Sequence, residues 1–319
     1  MDVLSDVIAA MRTGRPHSSR TEKRAPWGGR FHATGGAGFH VVLSGTCWLL
    51  PPDAAPVALG VGDVVFLPHG HGHGLADHPS TPLPEVTPVS LTESRLTDSR
   101  LTESQEAGSP TVLLCGAYRL DSARSHPLLD DLPEIIHLPA RLGRHPSLRA
   151  AIDLLGTEMA QPGPGTDAAV PALLDVLLLL ILRTWYADRS AGDRTTGWAA
   201  ALNDPAISTA LGDIHREPAR HWTVEALAAH AGLSRAAFAR RFAAFVGRPP
   251  LSYLTWWRLT TAAGLLRDSP APLAVVAGQV GYASEYAFAN AFKREYGIAP
   301  GRYRSWRAEP ASGADFPAS

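Results

Sequence analysis

Histidines at alternating positions are the residues of this chain best placed to form a ligand-binding site. His69, His71 and His73 stand two residues apart, and His40 precedes them. Alternate residues of an extended segment share one face, so these imidazoles could converge on a metal ion or a small ligand. One interpretation is a ligand pocket built from His40 and His73 and lined by Trp48. The other is a loop cluster plus one structural histidine.

Two cysteines form a second candidate site. Cys47 and Cys115 both fall in predicted strands, and a thiol pair within disulfide reach could report oxidants. Buried cysteines also serve simply as small hydrophobic residues, and we favour that role for this pair. So few cysteines in 319 residues argue against a disulfide scaffold and fit a reducing compartment.

The segment that would hold these residues has the pattern of short β-strands. Apolar runs separated by turn residues predict strands at 39–43, 47–50, 57–59, 64–67 and 112–118. Strands this closely spaced are typical of a barrel or a sandwich. A short helix is predicted over residues 2–11, followed by a basic loop.

One stretch of this predicted barrel resembles the second motif of the cupin family. The residues that carry the resemblance are Gly62, Pro68, Gly70, His73 and Asp77. The family has Asn at the last of these positions. The first cupin motif is incomplete, because His40 lacks the second histidine and the glutamate that accompany it in the family. This departure favours the structural interpretation of the histidines, and we expect no bound metal and no cofactor.

The strand pattern is interrupted by a repeat and then gives way to helices. A five-residue tandem repeat, which includes L-T-E-S-R and L-T-D-S-R, predicts an exposed, disordered insert over residues 85–110. From 141 to 189 the period is helical, with Pro171 at the expected start of an apolar helix that ends at Tyr186. We interpret 141–189 as a helical dimerisation hairpin and the polar residues 190–203 as a linker.

The C-terminal part contains one pattern twice. An alanine-rich helix runs to a glycine, a short turn follows, and a second helix carries the pair Phe238/Phe242 or Phe288/Phe292. The copies lie about 50 residues apart, and a repeat on that scale is seldom due to chance. A helix, a glycine turn and a capped helix predict a helix-turn-helix, whose second helix enters the major groove of DNA.

The exposed residues of these two second helices are the expected DNA-contacting residues. Arg240 can pair bidentately with guanine, Asn290 can read adenine, and Glu285 can accept from cytosine. The expected set is Ser234, Arg235, Ala236, Ala239, Arg240, Ser284, Glu285, Tyr286, Asn290, Lys293 and Arg294. Phosphate contacts or ion pairs within the domain are expected of Arg241, Lys293, Arg294, Arg302 and Arg304.

Residues 205–306 resemble the DNA-binding domain of the AraC/XylS family of transcriptional regulators. The resemblance rests on Ala226-Leu227-Ala228, Gly232, Ser234, Val280-Gly281-Tyr282, Phe288, Phe292-Lys293, Gly297, Pro300 and Tyr303-Arg304. Residues 1–140 resemble the cupin-type N-terminal domain of one branch of that family. The resemblance implies that both recognition helices enter successive major grooves. It also implies a sensory role for the two cysteines, since some such regulators are thought to sense reactive chlorine or electrophiles in this way.

Charge and composition agree with this interpretation. Residues 200–310 contain 13 Lys and Arg against 8 Asp and Glu, whereas the remainder contains 16 against 22. A local basic surface on an otherwise acidic chain is typical of a nucleic-acid-binding domain. The longest apolar run, Val176 to Leu182, is too short to span a bilayer, and the N-terminus lacks an export signal. We therefore expect a cytoplasmic protein that makes no membrane contact.

The expected fold is α+β, with an N-terminal cupin-like β-barrel, a helical dimerisation hairpin and a C-terminal all-α domain with two helix-turn-helix motifs. The domains are placed at 1–140 (sensor), 141–189 (hairpin), 190–203 (linker), 204–307 (DNA-binding) and 308–319 (flexible tail). The expected function is sequence-specific regulation of transcription rather than catalysis, by a homodimer that binds double-stranded promoter DNA. An unknown small molecule or oxidant would act through the barrel, and RNA polymerase would be a partner if the protein activates. The alternative is a metal-dependent cupin enzyme fused to a DNA-binding domain.

Overall fold

The computed structural model describes residues 2–84, 110–120, 126–141, 143–190 and 197–308. The chain divides into two compact units. Arg12–Asp188 form the barrel unit, and Met1–Met11 together with Arg189–Ser319 form the helical unit. The tandem repeat, the middle of the expected linker and the tail after residue 308 lie outside the described residues.

Two antiparallel sheets make up the barrel unit. The strands are β1 (His17–Lys23), β2 (Gly28–Phe31), β3 (Ala37–Ser44), β4 (Cys47–Leu50), β5 (Val57–Leu59), β6 (Val64–Leu67), β7 (His73–Ala76), β8 (Thr111–Tyr118) and β9 (Ile136–Leu138). One sheet has the order β1-β8-β3-β6-β9 and the other β2-β7-β4-β5. Residues from both sheets, including Val42, Leu49 and Leu113, form one buried cluster, so the core lies between the sheets.

The five predicted strands are present, and the basic loop expected after the first helix is wrong. Residues His17–Lys23 form β1, which pairs with β8 from His17↔Ala117 to Lys23↔Thr111. The side chains of β1 are largely exposed, so the strand is held by main-chain hydrogen bonds and shows no apolar alternation. The strands β2, β7 and β9 are short and were missed for lack of a comparable pattern.

Helices α2 (Pro127–Asp130), α3 (Pro146–Ala160) and α4 (Thr166–Ser190) complete the barrel unit. The Tyr118 hydroxyl at the end of β8 donates to the Leu174 carbonyl oxygen of α4 at 2.7 Å. Helix α4 begins at Thr166, not at the predicted Pro171, which lies inside it. A proline so close to the N-terminus removes only one backbone hydrogen bond, so the helix starts before it.

Helix α4 is long and apolar enough over Thr166–Arg189 to cross a membrane, although its longest uninterrupted apolar run is shorter than a bilayer. Core helices of soluble proteins share this length and composition. Its buried apolar side chains are those of Leu174, Leu177, Leu178, Ile181, Leu182 and Tyr186. Packing within the barrel unit buries 33% of the residues in the most apolar part of this span.

The helical unit consists of α1 (Val3–Met11), α5 (Trp198–Asn203), α6 (Pro205–Arg216), α7 (Val224–His230), α8 (Arg235–Val246), α9 (Pro250–Asp268), α10 (Leu273–Gln279), α11 (Glu285–Tyr296) and α12 (Pro300–Ala308). The long helix α9 joins two similar halves, with α7 and α8 in the first and α10 and α11 in the second. Helix α5 falls inside the expected linker, and its Trp198 is buried against Tyr253, with ring centroids 6.1 Å apart.

Helix α1 packs on α6 and α9, although the sequence placed it with the barrel. Its apolar face, which includes Val7 and Ile8, is buried. The Asp6 carboxylate lies 3.4 Å from Nδ1 of His215, whose ring stacks on Trp257 at 3.7 Å between centroids. An amphipathic helix requires an apolar surface, but its sequence does not say which element supplies that surface.

Candidate functional site

Helices α8 and α11 have the same start and the same end. The side-chain oxygens of Ser234 and Ser284 accept from the backbone N–H of Ala237 at 3.3 Å and of Ala287 at 3.2 Å. Each helix ends at a glycine with left-handed backbone, Gly247 and Gly297. Both serines cap their helices, which leaves each hydroxyl hydrogen free to donate to a phosphate oxygen.

Four buried phenylalanines orient the two helices. Phe238 and Phe242 on α8, and Phe288 and Phe292 on α11, are fully buried and form part of the core. Because these residues fix the inner face of each helix, the opposite face is turned to solvent.

Of the predicted DNA-contacting residues of α8, Ser234, Arg235, Ala236 and Arg240 are exposed, whereas Ala239 is half-buried. Nε of Arg235 lies 2.5 Å from the Glu225 carboxylate of α7. Beside this face Arg241 forms an ion pair with the buried Asp204. The guanidinium of Arg241 is therefore occupied within the helical unit. In the part of the chain that the structure describes, no group pairs with Arg240. The N–H groups of its guanidinium are therefore available to donate two parallel hydrogen bonds to a bound molecule.

On α11 all the predicted DNA-contacting residues are exposed, namely Ser284, Glu285, Tyr286, Asn290, Lys293 and Arg294. Tyr286 is 78% exposed, an unusual position for a large aromatic ring. By the 50-residue offset between the helices, Asn290 occupies the position of Arg240, and Glu285 that of Arg235. The two helices thus present different hydrogen-bonding groups at equivalent positions.

The remaining basic residues divide between the interior and the surface. Arg304 donates to the Ala271 carbonyl oxygen at 2.6 Å and so holds α12 to the segment before α10. Arg302 is exposed. Of the five predicted phosphate-contacting or ion-pairing residues, Arg241 and Arg304 bond within the unit, and the exposed Lys293, Arg294 and Arg302 remain candidates for phosphate contact.

Inside the barrel the structure brings together His40, His73 and Cys115. Nδ1 of His40 lies 3.0 Å from Sγ of Cys115, its partner across β3 and β8. Nε2 of His40 lies 2.7 Å from Nε2 of His73 in the opposite sheet. Nδ1 of His73 lies 3.0 Å from the His71 carbonyl oxygen, and Phe31 stacks on the His73 ring. We call these three side chains the His–His–Cys chain.

The carbonyl oxygen at the end of the His–His–Cys chain determines which of its ring nitrogens carry hydrogen. Burial lowers the pKa of His73. Burial, and then the repulsion that a protonated His73 would exert, hold the pKa of His40 well below 6.5. Both rings are therefore neutral. The His71 carbonyl can only accept, so Nδ1 of His73 donates to it and Nε2 of His73 accepts from His40. Nδ1 of His40 then carries no hydrogen and accepts the thiol hydrogen of Cys115.

The other predicted barrel residues lie elsewhere. His69 and His71 fall in the turn before β7, where Nε2 of His69 lies 3.2 Å from the Leu132 carbonyl oxygen. Trp48 alternates with the core residues Cys47 and Leu49 on β4, so it lies on the other face of that strand and not beside the two histidines.

Both cysteines are free thiols that contact the same buried cluster. Burial, then the charge of Asp63, raises the pKa of Cys47 to about 12. Burial, then Cys47, raises the pKa of Cys115 to about 12 against the opposing effect of Lys23. Each sulfur is therefore protonated at neutral pH. Among the described residues, a proton acceptor lies in hydrogen-bond contact with Cys115 but not with Cys47.

Within the described ranges, no group of three or more His, Cys, Asp or Glu side chains is arranged to hold a metal ion. His40 and His73 point their Nε2 atoms at each other, and Cys115 lies on the far side of the His40 ring. These donors therefore form a hydrogen-bonded row and do not converge on one point.

The sequence missed some residues that position these groups. The pairing of Asp204 with Arg241 joins elements far apart in the chain, so no local pattern indicates it. Phe31 was missed because its strand β2 is short and glycine-rich, and the only available signal was an isolated aromatic residue before the first long strand.

Comparison with known proteins gives matches over both parts of the chain. A family model described as Cupin matches residues 2–187, and one described as a helix-turn-helix domain matches residues 227–305. A putative AraC-like transcription regulator of Streptomyces lividans is 35% identical over 313 residues, which cover 97% of this chain and 100% of that protein. The RCS-specific HTH-type transcriptional activator RclR of Escherichia coli is 30% identical over 268 residues and 83% of each chain. The DNA-binding domain of AdpA, solved with a target DNA, is 34% identical over 34% of this chain and 99% of that one, with a TM-score of 0.32.

Proposed function

The chain belongs to the AraC family of transcription regulators with a cupin-type N-terminal domain, and from this membership we propose that it binds promoter DNA sequence-specifically through α8 and α11. The observation that carries the proposal is the equivalence of Arg240 and Asn290. They occupy equivalent exposed positions on the two helices. Each helix has a serine at its start, a glycine at its end and a pair of buried phenylalanines at equivalent positions. Arg240 would read guanine and Asn290 adenine, in successive major grooves.

The other exposed residues have supporting roles in this proposal. Ser234 and Ser284 would donate to phosphate from the helix N-termini, with Lys293 and Arg294 contacting the backbone of the second groove. Arg235 would have to exchange Glu225 for DNA. Ala236 and Ala239 allow close approach of α8 to the groove, while Glu285 and Tyr286 contact cytosine and a thymine methyl group.

Selection from a pool of random duplexes with the full-length chain would provide the binding site for a test. Arg240→Ala should then weaken binding by about 1–3 kcal/mol and relax preference at one guanine. Arg240→Lys should keep the charge but lose the preference, because an ammonium cannot form the bidentate pair. Arg216→Ala, which removes an exposed arginine paired with Asp213 on α6, is the matched control. Unchanged affinity and base preference in Arg240→Ala would reject the assignment.

We place the protein in the cytoplasm as a homodimer. We keep the domain limits predicted from the sequence, except that residues 1–11 and α5 belong with the helical unit. Exposed apolar side chains of α3 and α4 support the homodimer, because Leu154 is 55% exposed and Val176 is 44% exposed. Apolar side chains in such positions favour association of two copies. RclR is described by its name as an activator, which supports activation by this chain, with RNA polymerase as its partner.

Control of DNA binding would come from an oxidant or a small ligand acting on the barrel, and the His–His–Cys chain is its proposed site. Hydrogen peroxide would transfer one oxygen atom to the Cys115 sulfur as its O–O bond breaks, which oxidises the thiol to the sulfenic acid. The thiol proton would pass through Nδ1 of His40 to the leaving hydroxide, which departs as water. The resulting sulfenic acid could condense with the Cys47 thiol to a disulfide and a second water. The name of RclR, which describes it as RCS-specific, favours an oxidant over a neutral ligand.

Two serine variants would separate these routes. DNA affinity is measured before and after treatment with peroxide or hypochlorous acid, and then after a thiol reductant. Loss of the response in both Cys115→Ser and Cys47→Ser supports the disulfide, and loss in Cys115→Ser alone supports the sulfenic acid. A full response in both variants would remove the cysteines from the proposal and leave ligand binding as the means of control.

A further inference from the structure

The two helix-turn-helix halves touch each other through a loop and a turn, in addition to being joined by α9. The loop is Glu217–Trp222, which follows α6 and leads into α7. The turn is centred on Gly281, between α10 and α11. Arg258, in the middle of α9, contacts both.

Arg258 binds the loop with two hydrogen bonds. Its Nε donates to the Pro218 carbonyl oxygen at 2.6 Å, and a terminal nitrogen donates to the Arg220 carbonyl oxygen at 2.9 Å. Hydrogen bonds from a charged donor are stronger than neutral ones, and the planar guanidinium sets the direction of both. Burial lowers the pKa of Arg258, so these bonds form in a partly dehydrated environment.

The loop is itself firmly attached to the first half. The Trp222 indole N–H donates to the Glu217 carbonyl oxygen at 3.0 Å, and the Arg220 guanidinium lies 4.0 Å above the same ring. His230, at the end of α7, meets the Trp222 ring edge-on at 5.2 Å. Movement of this loop would therefore carry α7 with it.

The turn is equally attached to the second half. Gly281 has a φ of +83°, and an added Cβ would lie 2.7 Å from Cα of Ala219 and 2.9 Å from a guanidinium nitrogen of Arg258. The next residue, Tyr282, donates its backbone N–H to the Ala277 carbonyl oxygen of α10 at 2.9 Å and packs its ring against Phe288 of α11. Glycine is required here both by the backbone conformation and by the closeness of the loop.

We propose that Arg258 and Gly281 are positioning residues that hold α8 and α11 at one mutual distance and angle, and so make the protein select DNA by the spacing between its two recognition sites. This inference rests on the proposed function, because spacing matters only if both helices contact one duplex. One inserted base pair moves a recognition site by about 3.4 Å and rotates it by roughly 35°. A rigid pair of helices cannot follow that change, whereas a loosened pair can.

The first test uses the selected duplex and versions with one base pair inserted or removed between the two recognition sites. The wild-type chain should lose at least about tenfold in affinity on each altered duplex, the cost of one lost base contact. The affinity of Arg258→Ala should fall by less than about threefold on the altered duplexes. The loss for Arg258→Lys should lie between those of Arg258→Ala and the wild-type chain. Arg267→Ala is the matched control on the same helix. Arg267 is half-buried like Arg258, but it donates to Tyr303 within the second half. Its variant should therefore keep the wild-type ratio of the affinity for the selected duplex to the affinity for an altered duplex.

A distance measurement on the free full-length chain makes the inference independent of DNA. Nitroxide labels at the exposed positions of Ala244→Cys on α8 and Arg294→Cys on α11, in a Cys47→Ser, Cys115→Ser background, should give one narrow distance peak. Adding Arg258→Ala or Arg258→Lys should broaden it, while Arg267→Ala should not. The lysine variant serves if the alanine variant does not fold.

The outcomes are separable. If the chain binds no duplex, the proposed function fails, and the label distances still decide whether Arg258 fixes the two helices. The inference is overturned if DNA is bound but Arg258→Ala shows the wild-type ratio of affinities for the selected and altered duplexes. It is also overturned if Arg258→Ala leaves the distance peak as narrow as in the labelled chain that retains Arg258. A wild-type chain indifferent to spacing would overturn it as well.

Discussion

Nε2 of His40 and Nε2 of His73 face each other at 2.7 Å, so only one hydrogen can lie between them. In the neutral pair that hydrogen belongs to His40, and the Cys115 thiol donates into the row. Protonation of His73 would place the shared hydrogen on His73, and His40 would then donate towards the Cys115 sulfur. The contact joins the two sheets, and its direction depends on the charge of one imidazole.

Acid should therefore destabilise the barrel unit. The folded-state pKa values of both histidines lie below the ordinary 6.5, so the unfolded chain binds more protons as the pH falls below that value. Stability is fully present above about pH 6.5 and is lost towards lower pH, by up to about 1.4 kcal/mol per pH unit for each histidine. Hydrogen exchange of the β3 and β7 amides, corrected for intrinsic rates, measures this between pH 7.5 and 5.5. His78→Gln, at an exposed position, should keep the slope, and a pH-independent protection free energy would contradict the assignment.

Replacing Val176 by Asp on the exposed face of α4 should weaken the proposed dimer. A carboxylate in an apolar interface loses its hydration, so we expect the dimer dissociation constant to rise at least about tenfold. Sedimentation equilibrium of the full chain measures the change. Val61→Asp is a control of similar exposure, 45% against 44%, in a turn of the barrel. Equal dissociation constants for the two variants would mean that this face of α4 does not mediate association.

The N-terminal helix should contribute to the stability of the helical unit. Ile8 is buried where α1 packs on α6 and α9, so Ile8→Ala leaves a cavity and should cost about 2 kcal/mol or more. Hydrogen exchange of α6 and α9 in the full-length chain would report the loss. Ala9→Ser, on the exposed side of the same helix, should have little effect. Unaltered exchange in Ile8→Ala would show that α1 is not part of this core in solution.

The two oxygens of Asp204 should have separable effects. Oδ1 accepts from the Ile207 N–H at 3.0 Å and caps α6, whereas Oδ2 pairs with Arg241 of α8. Asp204→Asn keeps the cap and loses the ion pair, and Asp204→Ala loses both, so alanine should be worse by about 1 kcal/mol. Urea denaturation followed by tryptophan fluorescence gives the order. Arg302→Ala, at an exposed position, is the control, and equal stabilities for Asn and Ala would rule out the capping contribution.

Helices α8 and α11, which we propose to contact DNA, were largely predictable because their signals are local. Ser234 and Ser284 as caps, the phenylalanine pairs and the terminal glycines each act within one turn of helix. The strands with apolar alternation were predictable for the same reason. Strand β1 was not, since a polar edge strand is specified by its partner β8 and not by its own side chains.

Contacts between distant elements were beyond local patterning. Periodicity shows that α1 and Trp198 have apolar surfaces to bury, but many surfaces could accept them. In the barrel, alternation of His69, His71 and His73 indicated a shared face, and the turn before β7 breaks that alternation so that only His73 enters the core.

The sequence by itself determined the two helix-turn-helix units, the barrel and the exposed positions of Arg240 and Asn290, because periodicity, capping and turn chemistry operate over a few residues. Only the tertiary structure decided that Arg240 stays unpaired among the described residues while Asp204 engages Arg241, and that Cys115 meets His40. Only it placed Arg258 between the two halves. Such pairings depend on which surfaces approach within hydrogen-bond distance, a property of the packed chain as a whole.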